Sequence, residues 1–207
     1  MIAPVETAAA AKAGLRAAVL AARRSAGAEQ RARASAQLTR RVLDLPVVEA
    51  AHCVAAYVSF GTEPSTAELL AGISSRSVPV LLPVLRADLD LDWAIYDGTH
   101  HLTQGLGGVR SPDGQALGLD ALAQADVVVV PALAVDRHGH RLGRGGGSYD
   151  RALARAAPGA VVVAPVYEDE LLDDVPAEAH DRPVHLAVLP SGVQDLRDRP
   201  PRDGPGT

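Results

Sequence analysis

Near the N-terminus apolar residues recur at helical spacing, whereas in the second half of the chain they gather into short continuous runs separated by glycine, proline and acid. The first pattern predicts helices over residues 8–24 and 28–45; in the second of these Ala34, Leu38, Val42 and Leu45 fall on one face and Pro46 enforces a stop. Cys53 to Ser59 reads as a β-rich segment ending in the turn Gly61-Thr62-Glu63-Pro64. Ser65-Thr66-Ala67-Glu68 has the form of a capping box opening a short helix. Val78 to Leu85 predicts a buried strand that Pro79 and Pro83 place near an edge or a bend, and Leu89, Leu91, Trp93 and Ile95 alternate as in a half-buried strand. Residues 97–116, rich in glycine, read as loop.

Asp126-Val127-Val128-Val129-Val130-Pro131 is the kind of all-apolar run that a parallel sheet buries on both faces. A glycine-rich loop follows, with a helix starting near Gly147; Ala160 to Val166 and Val184 to Leu189 repeat the strand pattern around a short acidic helix. Strands alternating with helices predict a single α/β domain over 1–190 with a mainly parallel sheet. Residues 191–207, dominated by Pro, Gly, Asp and Arg, read as a disordered tail.

Composition narrows the class. Hydrophobic residues make up 47 % of the 207, enough for a core without staples, and the single cysteine, Cys53, excludes an internal disulfide and fits a reducing compartment. Cys53 lies in an apolar run and reads as a small buried hydrophobe rather than a nucleophile. The net charge is −5, yet residues 12–41 carry eight Lys or Arg against the single Glu29. That asymmetry raises the possibility of a nucleic-acid arm, but the basic segment has no aromatic residue to stack on bases. No apolar run reaches membrane-spanning length, and Lys12 and Arg16 interrupt the Ala-rich start, so neither a membrane span nor a secretory signal is expected. An organelle transit peptide shares the Arg-rich, acid-poor start and stays open as an alternative; the cytoplasm is the expected location.

The chemistry concentrates in Asp136-Arg137-His138-Gly139-His140-Arg141-Leu142-Gly143-Arg144-Gly145-Gly146-Gly147-Ser148-Tyr149-Asp150-Arg151, which starts five residues beyond a buried strand and runs into a helix. Successive glycines let backbone N–H groups converge on an anion, and the helix N-terminus adds partial positive charge. Arg141 and Arg144 offer guanidinium groups to phosphate oxygens, and Asp150 offers an oxygen ligand to a divalent cation. The loop is neither a Walker A element, since no Gly-Lys-Ser/Thr closes it, nor a dinucleotide fingerprint, whose glycine spacing differs. On the first helix Lys12, Arg16 and Arg23 share a cationic stripe beside the apolar Leu15, Val19 and Ala22. Alone, that stripe reads as a solvated row. His100-His101 and His138-x-His140 lack any cysteine pair or zincin helix and read as loop histidines.

The stretch Asp136–Arg151 closely resembles the signature of 5-formyltetrahydrofolate cyclo-ligases, Asp-x-x-Gly-x-Arg-Leu-Gly-x-Gly-x-Gly-x-Tyr-Asp. Lys12 and Arg16 resemble that family's N-terminal Lys-x-x-x-Arg, Tyr57 to Glu63 its strand and turn ending in a folate-contacting Glu, and His180-Asp181 its late His-Asp element. The chain departs from the family's pattern at Ser148, where many members carry a tyrosine, at Ala132 and Val135, and at Ser111, where a carboxylate is usual. The resemblance implies a three-layer α/β/α fold like that of sugar-phosphate isomerases and CoA-transferases, and ATP- and Mg²⁺-dependent closure of 5-formyltetrahydrofolate to 5,10-methenyltetrahydrofolate by a monomer that binds neither nucleic acid nor membrane. By the same resemblance Lys12, Arg16, Arg141, Leu142, Gly143, Arg144, Gly145, Gly146, Gly147, Ser148 and Tyr149 hold ATP. Val58 and Glu63, with Arg144 through Ser148, meet the folate, and Asp150 and Asp181 hold Mg²⁺. A relative that binds nucleotide or folate without turnover is the alternative.

Overall fold

The computed structural model describes residues 8–98, 101–178 and 180–197. Helices α1 (Ala8–Ser25) and α2 (Ala28–Leu43) open the chain, and Pro46, rather than only stopping the second helix, starts the single turn α3 (Pro46–Glu49) at a position where its missing N–H costs nothing. Strands β1 (Val54–Ala55), β2 (Val80–Leu85) and β3 (Leu91–Ile95) follow, with α4 (Ala67–Ser74) between the first two. Next come β4 (Leu102–Gln104) and β5 (Arg110–Pro112), then β6 (Val127–Val129), β7 (Ala134–Asp136), β8 (Arg141–Leu142) and α5 (Ser148–Leu153). The chain ends through β9 (Val161–Pro165), β10 (Leu171–Leu172), β11 (Leu186–Val188) and β12 (Val193–Asp195).

Seven strands form the central sheet in the order β12-β11-β9-β6-β1-β2-β3. All neighbours from β11 to β2 run parallel, and only the two edges, β12 and β3, are antiparallel. Both faces are covered, which is why its inner strands are continuous apolar runs. Val127 and Val129 point to one side, packing with Leu38 and Val42 of α2 and Leu70 and Ile73 of α4, while Val128 and Val130 point to the other, with Trp93, Leu122 and Ala152. The three layers expected from the sequence are therefore present. A small sheet in the order β10-β7-β8 lies outside them, and Val19 of α1 clusters with Leu133 and with Ala134 and Leu142 of that sheet.

The chain leaves β1 towards β2 and β3, then returns to lay β6 on the other side of β1 and builds outward through β9 and β11. The order reverses between β1 and β6. In an open parallel sheet the carboxyl ends of two strands that diverge in this way leave a crevice.

Three expectations change. Residues 97–116 contain the hairpin β4–β5, registered Leu102↔Pro112 to Gln104↔Arg110, whose three-residue strands are too short for alternation to reveal; His100 lies outside the described residues. The tail does not begin at 191: Val193 pairs with Val188 across a turn at Leu189–Gly192, and Leu196 is buried. Sheet-edge pairing uses backbone groups, so a polar composition did not forbid it; residues 198–207 lie outside the described residues. The capping box is not made either, because Thr66 sits at the N-cap with no capping bond. Its hydroxyl instead donates to the Tyr57 carbonyl and accepts from the Ser59 N–H, clamping the turn after β1.

At the other edge His185 Nδ1 accepts from the Val162 N–H at 2.9 Å. Burial, with help from Arg197, lowers the His185 pKa from the ordinary value of 6.5. The folded state thus favours the neutral ring, and its contribution to stability is present above pH 6.5 and is lost as pH falls from there through the lowered folded value. Melting temperature is expected to drop between pH 7.5 and 5.5, and His185→Gln, which keeps an acceptor but cannot titrate, to remove part of that drop.

Candidate active site

A cleft of about 640 Å³ opens at the reversal point. Tyr57 and Val58 reach it from the end of β1, and Pro131, Ala132 and Leu133 from the end of β6. The β7–β8 turn fixes its most chemical wall. Asp136, fully buried, accepts from the N–H groups of His138, His140 and Val175 and from His140 Nδ1, all at 2.8–3.1 Å. Gly139 closes this turn at φ 90°, where an added Cβ would stand 2.7 Å from the Val184 carbonyl oxygen. From that anchor β8 delivers Arg141 to the cleft, Gly143 to Gly147 continue the same wall, and Gly147 in the left-handed conformation caps α5. At φ 106° Gly145 lets the Arg16 guanidinium lie 3.5 Å from where its Cβ would be. The helix has only six residues, so its dipole adds little and the site's charge comes from side chains.

Every residue assigned to a ligand from the sequence borders this cleft: Lys12, Arg16, Val58, Glu63, Arg141 to Asp150, and Asp181. The first-helix stripe is not a solvated row. Lys12 is buried and donates to Asp181 at 2.8 Å and Glu178 at 3.0 Å, and Arg16 donates to the Gly143 carbonyl at 2.8 Å. Arg23 departs from the other two: it is buried outside the cleft, bonded to both oxygens of Glu170 and to the Ala132 carbonyl, with the Tyr167 ring beside it. That contact fixes α1 rather than serving a ligand.

Three of the four cations of the cleft are paired with carboxylates. Besides Lys12 with Asp181, Arg141 donates to Asp150 at 2.8 Å, and Arg144 donates to Glu63 at 2.9 Å while covering the Phe60 ring. Burial opposes both charges of the Lys12–Asp181 pair, but their mutual hydrogen bonds prevail, raising the lysine pKa and lowering that of the aspartate. Asp150 also accepts the Arg182 N–H at 3.0 Å, and Glu63 that of Phe60 at 2.9 Å. Among the described residues, ligand atoms of Glu178, His180 and Asp181 converge within 4.8 Å. Asp150 is not one of that group; it meets the same cleft from α5. Asp150, Asp181 and Glu178 supply the carboxylate oxygens that a small hard dication prefers, so the donor chemistry fits Mg²⁺.

Sequence reasoning missed the apolar wall. Pro83 and Leu85 from β2, Leu89 and Leu91 at β3, and Leu106 and Val109 from the β4–β5 hairpin make it apolar. Only the alternation of 89–95 hinted at it, and nothing in the local pattern told that these side chains would face a ligand. Ser111 is buried beside them.

A profile of the 5-formyltetrahydrofolate cyclo-ligase family matches residues 8–190. The 5-formyltetrahydrofolate cyclo-ligase of Mycolicibacterium smegmatis is 46 % identical over 151 residues, covering 70 % of this chain and 77 % of its own. That of Escherichia coli is 30 % identical over 178 residues, covering 83 % and 96 %. The 5,10-methenyltetrahydrofolate synthetase of Aquifex aeolicus superposes with a TM-score of 0.78 at 27 % identity, over 93 % of this chain and 96 % of that one. The synthetase of Mycoplasma pneumoniae, at 16 % identity and a TM-score of 0.68, shares the fold. The profile takes in both the cationic stripe of α1 and the glycine loop facing it, and on that match the chain belongs to the 5-formyltetrahydrofolate cyclo-ligase family.

Proposed function

We propose that this protein closes 5-formyltetrahydrofolate to 5,10-methenyltetrahydrofolate at the expense of ATP, as a cytoplasmic monomer with no nucleic-acid partner. The observation that carries this reading is one cleft with two unlike walls: the cations Lys12, Arg16, Arg141 and Arg144 along the glycine loop, and the apolar surface of β2, β3 and the hairpin. A polyphosphate suits the first wall and a reduced pterin the second. The formyl oxygen takes the terminal phosphoryl group of ATP and ADP departs; N10 then attacks the formyl carbon and releases its proton to solvent, the ring closes and phosphate leaves. No protein nucleophile is required, so the work of the chain is to position the reactants and neutralise charge.

Lys12, Arg16 and Arg141, with the N–H groups from Gly143 to Tyr149, hold the triphosphate; Val58 and Glu63 meet the folate, and Arg144 to Ser148 lie where the two substrates join. Asp150 and Asp181 would hold Mg²⁺, with Glu178 adjacent to Asp181. When bound, the metal supplies positive charge to the phosphate oxygens. The deciding experiment follows methenyltetrahydrofolate absorbance with purified protein: product is expected only when 5-formyltetrahydrofolate, ATP and Mg²⁺ are all present. ATP binding without product would favour the non-catalytic relative.

Lys12→Ala is expected to raise the KM for ATP about tenfold or more, because a buried cation facing phosphate is lost, and to change the KM for the folate much less. Steady-state kinetics with each substrate varied in turn checks this; an unchanged KM for ATP would confine Lys12 to holding Asp181.

A further inference from the structure

The cleft also has a polar floor that contains two hydroxyls the proposed chemistry leaves unused. Tyr57 is 3 % exposed, yet its hydroxyl is buried with no hydrogen-bond partner in the protein. The Tyr149 hydroxyl is in the same state, and both residues line the cleft. Buried hydroxyls are normally paired, because leaving one without a partner costs roughly 1–3 kcal/mol; where such a group persists beside a cavity, a ligand is the natural source of its partner.

The third member of the floor is Glu63, whose side chain is only 9 % exposed. One of its oxygens accepts from Arg144 and the other from the Phe60 N–H, and since each carboxylate oxygen takes two bonds, acceptor capacity remains towards the cleft. Burial, and after it the Glu63 charge, raises the pKa of both phenols. At working pH the tyrosines are therefore donors, with the carboxylate close enough to be felt by each.

We propose that Tyr57 is a specificity-determining residue whose hydroxyl donates to an acceptor on the pterin ring, beside the ring N–H groups that Glu63 accepts. A carboxylate next to a phenol presents acceptor and donor side by side, the complement of a heterocycle edge that carries an N–H next to a carbonyl oxygen. Tyr149, the second unpartnered donor, extends the floor towards the glycine loop. The side chains Pro83, Leu85 and Leu91 line the same cleft and offer no polar atoms that would compete for these bonds. This assignment rests on the folate reading of the cleft.

Tyr57→Phe tests it, since the substitution removes one oxygen and keeps the ring in the core cluster it belongs to. The KM for 5-formyltetrahydrofolate is expected to rise about tenfold, the KM for ATP to stay within about twofold, and the free protein to melt at the same or a higher temperature, because an unpaired buried hydroxyl has been removed. The rise in melting temperature that 5-formyltetrahydrofolate alone confers on the wild type is expected to shrink in the variant. An unchanged KM for the folate, or a lowered melting temperature with both KM values raised together, would overturn the proposal in favour of an internal role for the hydroxyl. Should wild-type protein make no methenyl product, the catalytic reading fails by itself; the folate-induced shift in the two proteins then judges Tyr57. Equal shifts, or none in either, would overturn it.

Discussion

Asp150→Asn is expected to lower kcat/KM for the cyclisation by about a hundredfold or more while the protein stays folded. The residue lies in the first turn of α5, and one of its oxygens accepts from both Arg141 and the Arg182 N–H. An asparagine oxygen keeps those two bonds, so the helix start and the Arg141 side chain stay in place. What disappears is a unit of negative charge where the proposed site would hold a polyphosphate and its cation. Groups that position a metal or meet charge forming in a transition state typically account for one to three powers of ten each. Matched kinetics at several Mg²⁺ concentrations, with circular dichroism to verify the fold, checks this. Wild-type turnover with wild-type magnesium dependence would remove Asp150 from the metal assignment.

The largest loss of stability is expected at Asp136, which contacts no proposed ligand. It accepts four hydrogen bonds from inside the protein, three of them from backbone N–H groups, and it is fully buried. Asp136→Ala strands those donors at once, and the Val175 N–H lies where water does not reach, since Val175 is itself fully buried. A cost of about 3 kcal/mol or more follows from the usual penalty for unmade buried bonds, a large share of the roughly 5–15 kcal/mol that holds a domain together. Denaturant unfolding is expected to show a lower midpoint with an unchanged slope. Asp136→Asn, which keeps an oxygen for His138 and His140, is expected to lose distinctly less. Gly139→Ala strains the same turn, because the left-handed backbone disfavours a side chain and the Val184 carbonyl occupies the place the methyl needs.

The two predictions mark where the sequence was readable. The parallel core was legible because β6, β9 and β11 are buried on both faces and so write themselves as unbroken apolar runs. The glycine loop was legible because a conformation open mainly to glycine leaves glycines behind at fixed spacing, as at Gly145 and Gly147. The role of the α1 stripe was not, because what distinguishes a solvated cation from a docked one is its partner. Those of Lys12 and Arg23 stand 169 and 147 residues further on. Hairpin β4–β5 and edge strand β12 depend on backbone pairing over three residues each, which leaves no period to detect. Thr66 shows a related limit: the local motif was real, but a neighbouring carbonyl offered its hydroxyl a better use.

The matching of charges in the cleft has a kinetic consequence. Four cations, Lys12, Arg16, Arg141 and Arg144, line it together with the four carboxylates Glu63, Asp150, Glu178 and Asp181. Such a surface projects little net field beyond its mouth, so it neither gathers free phosphate from solution nor speeds nucleotide arrival by long-range attraction. The capture rate for ATP is then expected to respond only weakly to ionic strength. On the proposed reading, discrimination against simple anions is expected after encounter, when a ligand bearing both negative oxygens and a metal would supply new partners to both members of each pair.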